Sequence, residues 1–424
     1  MLFGFGFLAY LQQKSITITA EPMMPELGLS QFQISLIEWA FVLGYGLFQL
    51  PGGIFGQRQG ARRTFVIIGI VAFLATVATP LAPYGLTGPG LFAALLFLQL
   101  LLGCSQAATF PVSAGVFEVW FPPRRWAFVQ GLQTMGLGLG AALTPPLIAH
   151  LMSAIGWQRA LLWASLPAIA LISIWAWYGR NTPREHPSVS TVELAEIGGE
   201  NIAAADTAIN AKQLLNILTN RNVLLLAISY LCMNYSFYLL SNWVFLYLVQ
   251  ERKFSVLESG WLAMTPPLAA ALGAGVGGLI TGALCLRLGN RWGYRLVPLI
   301  AMPVAGALLL ISVNAANPYW AVVGLACCFA AVELNEGAYW GAAMTVGRGE
   351  TMAVGGVMNT GGNLGGIIGI PIIGYLSGEH LWRAAFVVGA GFAVASAIAW
   401  LGIEVEQPVD AAADRSLEKQ AALE

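Results

Sequence analysis

Twelve stretches of this chain are each long and apolar enough to cross a bilayer, and nothing else in the sequence restricts its fold as tightly. They fall near residues 2–23, 31–55, 64–83, 90–117, 126–152, 157–178, 221–250, 257–284, 294–312, 318–346, 352–377 and 383–403. A helical crossing takes about 20 apolar residues. Backbone polar groups in lipid must be paired within the chain, so runs of this length read as helices. Only 10% of the 424 residues are charged, where a soluble domain has about 25%. The predicted fold is therefore an all-α membrane protein with twelve transmembrane helices. The first stretch has no basic leader and a polar centre, so it reads as a retained helix, not a cleaved signal.

Residues 179–220 interrupt the apolar pattern with charge and proline and read as a linker. The expected organisation is a six-helix bundle over 1–178, the linker, a second six-helix bundle over 221–403, and a tail over 404–424. The two bundles repeat. Gly52–Phe55 ("GGIF") matches Gly277–Ile280 ("GGLI"), and the same offset aligns Gly131 with Gly356, Gly136 with Gly361, Gly140 with Gly365 and Pro146 with Pro371. At a slightly different offset, "SQAATFP" (Ser105–Pro111) aligns with "NEGAYWG" (Asn335–Gly341). Parallel six-helix repeats characterise many secondary transporters, whose solute site lies between the halves near the midplane. The glycine-rich words let helices approach closely; they follow no strand, so they are not read as nucleotide loops.

Fifteen of the 20 lysines and arginines fall in alternate loops and in the terminal segments, including Arg415 and Lys419. That bias predicts both termini in the cytoplasm. A net charge of −1 argues against a nucleic-acid surface. The five cysteines lie in apolar runs without metal-ligand spacing, so neither a disulfide framework nor a metal site is expected.

Several words together resemble the major facilitator superfamily, and within it the anion:cation symporter group, the bacterial relatives of vesicular glutamate, sialic-acid and sugar-acid carriers. They are "ELGLSQFQISL", "GYGLFQLPGG", "FPVSAGVFEVWFP", "HPSVS" followed by "ELAEI", "EGAYW" and "GGVMNTGGNLGG". The resemblance implies two pseudo-symmetric six-helix bundles (the major facilitator fold), alternating access, and a solute such as a sugar acid or another carboxylate. It implies no enzyme activity and no cofactor beyond the proton gradient. A monomer in the bacterial inner membrane is expected, with a small-molecule solute and the lipid bilayer as partners.

The chain departs from that family where charge matters. Sugar-acid members usually read Asp-Arg where this chain has Gln12 and Gln13. They carry an arginine and a glutamate where it has Gln99 and Gln106. The superfamily loop motif places an acid where this chain has Gln57, within Gly53, Gln57, Arg58, Gly60, Arg62 and Arg63. Glutamine keeps the hydrogen-bonding shape of a carboxylate but does not titrate. The ionisable groups left at membrane depth are Lys14, Glu38, Glu118, Glu333 and Glu336, and such groups default to functional hypotheses.

Glu118 is expected to pair with Arg124 and Arg125, or with Arg58 and Arg62. Glu38 is read as a gating or interfacial acid. Glu333 and Glu336 are three apart and share a helix face. Glu336 aligns with Gln106 in the repeat, so the acid missing from one half is present in the other, and it is the leading proton-coupling candidate. Lys14 is the only base in the membrane core. It would bind a solute carboxylate or neutralise Glu336 or Glu333. Its direction stays open, because it points about 200° from Gln12 on a helix, whereas Gln12, Ser15 and Thr19 share a face. Further solute contacts are expected from Gln12, Gln13, Ser15, Tyr45, Gln49, Gln99, Gln106, Asn234, Tyr235, Tyr238, Asn242, Trp340, Asn359 and Asn363. The leading functional reading is proton-coupled symport of a small organic anion. The alternatives are a proton-coupled exporter of drug-like or siderophore-like metabolites and a uniporter of a neutral or zwitterionic solute.

Overall fold

The computed structural model describes residues 1–197 and 209–409; the middle of the linker and most of the tail, with Arg415 and Lys419, lie outside the described residues. Among the described residues the structure is helical and has no strand. The first half comprises α1 (Leu2–Leu27), α2 (Gln31–Leu47), α3 (Gln49–Gln59), α4 (Ala61–Leu81), α5 (Gly88–Ala107), α6 (Thr109–Trp120), α7 (Trp126–Ile155) and α8 (Trp157–Tyr178). Short helices α9 (Thr191–Ile197) and α10 (Ala211–Thr219) belong to the connection. The second half comprises α11 (Arg221–Gln250), α12 (Val256–Leu262), α13 (Thr265–Asn314), α14 (Pro318–Glu333), α15 (Glu336–Gly347), α16 (Thr351–Gly378) and α17 (Trp382–Trp400).

Eight segments pass a test of length and apolarity for crossing a membrane, and nine do when α2 and α3, bent by 52°, form one crossing. The other three have physical explanations. Helix α13 counts once, yet its 50 residues would span about 75 Å as one rod, more than twice a hydrocarbon core of about 30 Å. It breaks at Gly289 (φ 77°, ψ 167°), and Gly293 folds back against Cys285, so it supplies two crossings. Helices α1 and α16 fall short because Gln12, Gln13 and Lys14 dilute one, while Asn359, Asn363 and a run of glycines dilute the other. Twelve crossings result among the described residues.

Local signals fix the boundaries. Ser30 and Gln33 form a reciprocal capping box that starts α2. Helix α1 ends at Gly28 in the left-handed conformation (φ 65°), with Leu29 N–H returning to the Met24 carbonyl at 3.0 Å. Two crossings are broken near their middle: α5 gives way to α6 at Ala108, and α14 to α15 at Leu334 and Asn335. The buried Asn335 amide donates to the carbonyls of Ala331 (2.8 Å) and Val332 (2.9 Å), satisfying the end that α14 leaves open.

The repeat governs packing. A side chain at Gly136 or Gly140 of α7 would strike the Phe3 or Phe7 carbonyl of α1. In the second half, Gly361 and Gly365 of α16 meet Ala227 and Leu231 of α11 in the same way. Between halves, Gly131 lies against the Ala274 carbonyl and Gly356 against that of Gln49. Those two contacts are images of each other, since both partners shift by the repeat offset.

Candidate functional site

Between the halves lies a cavity of about 720 Å³ lined from α1, α2, α5, α6, α7, α11, α14, α15 and α16. Glu38, exposed Trp39, exposed Asn242 and Trp243 stand at its rim. At the opposite, arginine-rich end the halves are sealed together. There Gln57 donates to the Gly349 carbonyl at 2.6 Å, Glu118 accepts the Gly349 N–H at 2.7 Å, and Gly53 packs directly on the Met352 carbonyl. Among the described residues these contacts close the halves at that end, and the cavity opens toward the other.

Of the residues singled out from sequence, Gln13, Lys14, Glu38, Tyr45, Gln99, Gln106, Asn234, Tyr238, Asn242, Glu333, Glu336, Asn359 and Asn363 line this cavity. Helix α1 turns the face with Tyr10, Gln13, Lys14 and Thr17 toward it. Lys14 is half-buried and makes no ion pair among the described residues. The expected pairing of Lys14 with Glu333 or Glu336 does not form an ion pair among the described residues.

Five expected solute contacts lie elsewhere. Gln12 is buried behind the cavity, where its carbonyl accepts from the Gln106 amide at 3.0 Å. Ser15 spends its hydroxyl on the Leu11 carbonyl of its own helix. Gln49 is fully buried and ties the halves together, accepting from Asn359 at 2.8 Å. Tyr235 is buried and stacked on Phe392, ring centres 4.5 Å apart. Trp340 is buried and donates its indole N–H to Glu336 at 3.0 Å. Each is a polar group already paired or packed within the protein, so its polarity did not mark the cavity face.

The loop residues also divide. Gln57, Gly53 and Glu118 join the halves as described. Arg58 donates to the Ile209 carbonyl at 3.4 Å. Gly60 (φ 77°) packs on Asn181. Arg62 binds the Ala176 carbonyl, and Arg63 is exposed. The expected pairing of Glu118 with arginine is replaced: Arg124 and Arg125 turn outward to Glu196, at 2.7 and 3.5 Å. Glu118 instead turns to the other half, accepting the Gly349 N–H with Thr351 and Arg348 close by.

Two acids sit side by side at the break in the tenth crossing. Glu336 is held by two donors, the Tyr230 hydroxyl at 2.8 Å and the Trp340 indole at 3.0 Å. Glu333 accepts no hydrogen bond and makes no ion pair among the described residues, though it is only 4% exposed and faces the cavity. Tyr10 and Tyr230 were not singled out from sequence. The available signal was spacing: Tyr10 lies one turn before Lys14, and Tyr230 one turn before Asn234.

A sealed end, a midplane cavity with broken helices on both sides, and two halves related by repeat define an alternating-access transporter. The family model of the Major Facilitator Superfamily matches residues 2–355, and the chain belongs to that superfamily. It is 27% identical over 377 residues to the probable sulfoacetate transporter SauU of Cupriavidus necator, covering 87% of this chain and 84% of that one. It is 26% identical over 428 residues to the hexuronate transporter of Bacillus subtilis, covering 96% and 97%. In three dimensions it is similar to the proton:xylose symporter XylE, with a TM-score of 0.73 at 12% identity, covering 95% of this chain and 94% of that one. The chain is a multi-pass membrane transporter and not an enzyme.

Proposed function

We propose that this protein imports a small organic anion across the bacterial inner membrane by proton-coupled symport, with both termini in the cytoplasm. One observation carries the reading: among the described residues Lys14 is the only cation lining the cavity and forms no ion pair. Leaving such a charge unpaired in a partly desolvated site is costly, and a carboxylate or sulfonate supplies the missing counter-charge. The solutes named for the sulfoacetate and hexuronate transporters belong to that class. Amides and phenols of α11 and α16 would hold the rest of the solute, notably Asn234, Tyr238 and Asn363.

Glu336 is the proposed coupling acid, and the proton gradient is the energy source. Its neighbours Tyr230 and Trp340 fix its orientation in this state. Protonation would remove the charge those donors hold and so link proton occupancy to the arrangement of α11 and α15. Solute and proton then enter from the open end, and closure there accompanies release of the Gln57–Gly349–Glu118 seal. The bias of basic residues in the loops supports a cytoplasmic position for that seal.

Uptake by proteoliposomes tests this reading. An organic acid should accumulate when the outside is acidic, and Glu336→Gln should abolish accumulation while leaving solute exchange. Accumulation that is indifferent to the gradient would refute proton coupling.

A further inference from the structure

We infer that the transported anion carries a single acidic group on an uncharged, hydrogen-bonding body. This rests on the organic-anion reading and narrows it. Among the described residues Lys14 is the one cation lining the cavity; no arginine or histidine joins it, while Glu38, Glu333 and Glu336 do. A first acidic group pairs with Lys14. A second would find no cation, and burying an unpaired anion is strongly unfavourable.

The acids sharpen the selection. Glu336 already accepts two hydrogen bonds. Glu333 accepts none among the described residues, is 4% exposed and faces the cavity. When ionised, a free carboxylate in that position accepts from a hydroxyl or N–H of the solute and repels a second carboxylate. The other polar walls are neutral: Tyr238 donates to Asn363 at 3.0 Å, and Asn234 donates to the Tyr230 carbonyl at 2.9 Å. They suit hydroxyl groups.

Size does not make the distinction. A volume of about 720 Å³ is within the usual range for small-molecule sites and admits a diacid of the same carbon skeleton. Discrimination comes from leaving the wrong solute's second charge unpaired.

The test is the melting temperature of the purified protein against two matched sets: glycerol, glycerate and tartronate, and D-glucose, D-glucuronate and D-glucarate. A ligand specific for the folded state raises it in proportion to affinity and concentration. The monoacid of a set should bind at least tenfold more tightly than its diacid. Gln13 lines the cavity and has no hydrogen-bond partner among the described residues, so Gln13→Arg adds a second cation without breaking a contact. It should close that gap at least fivefold. Glu333→Gln, which keeps the shape, should narrow it in the same direction and serves if Gln13→Arg fails to fold. Diacids that stabilise the wild type as well as monoacids would overturn the inference while leaving the organic-anion reading intact. Stabilisation by no acid at all would overturn that reading itself, and the inference with it.

Discussion

Gln57 donates its side-chain amide to the carbonyl of Gly349 at 2.6 Å, joining the two halves at the end away from the cavity mouth. Glu118 accepts the N–H of the same glycine at 2.7 Å. Both backbone groups of one residue are thus held from the opposite half. Gly349 offers them together because it adopts φ 84°, a conformation that suits glycine. The amide matters here, since a carboxylate has no proton to give a carbonyl.

Gln57→Glu keeps the length of the side chain and removes the donor. A neutral hydrogen bond contributes about 1 kcal/mol net, which shifts a two-state equilibrium about fivefold. Spin labels at positions 63 and 287, which are exposed at this end, should show a larger fraction of long distances. An unchanged distance distribution would mean that the bond does not hold the seal.

Gly53 tests the same seal by shape. A side chain there would overlap the Met352 carbonyl, and backbone cannot retreat as a flexible side chain can. Gly53→Val should therefore separate α3 from α16 at this end and reduce transport by more than tenfold. The purified variant should still elute as a folded monodisperse species, because the contact lies between halves and not within one. Normal transport by Gly53→Val would place the close approach outside the working cycle.

Tyr230 and Trp340 both donate to Glu336. Removing one hydrogen bond to a charged acceptor costs about 1.5–3 kcal/mol. Tyr230→Phe should shift the pH at which transport is half-maximal, since the charged form of Glu336 loses a donor and protonation becomes easier; the midpoint should move to higher pH. A loss of maximal rate with no movement of the midpoint would assign Tyr230 to packing alone.

The fold was legible because twelve apolar runs and a glycine repeat are both written along the chain. Even α1 and α16, too polar to qualify on apolarity, were found from their runs, and α16 from the repeat as well. The direction of each polar side chain was less legible. On α1 helical spacing separates the face of Gln12 and Ser15 from that of Lys14 but leaves open which one turns inward; the first is satisfied inside the protein, and Lys14, with Gln13, opens on the cavity. Which face turns inward depends on partners distant in sequence, such as Gln106. The same holds for Glu118, whose partner lies 231 residues away, while its apparent neighbours Arg124 and Arg125 take Glu196.

The most direct measurement is solute-driven proton entry into proteoliposomes, read as internal pH when organic acids or neutral sugars are added outside. At least one organic acid, and no neutral sugar, should acidify the lumen, and both Lys14→Gln and Glu336→Gln should abolish the signal. Acid uptake that moves no protons, or a proton signal that survives both substitutions, would contradict an anion site at Lys14 coupled to a proton at Glu336.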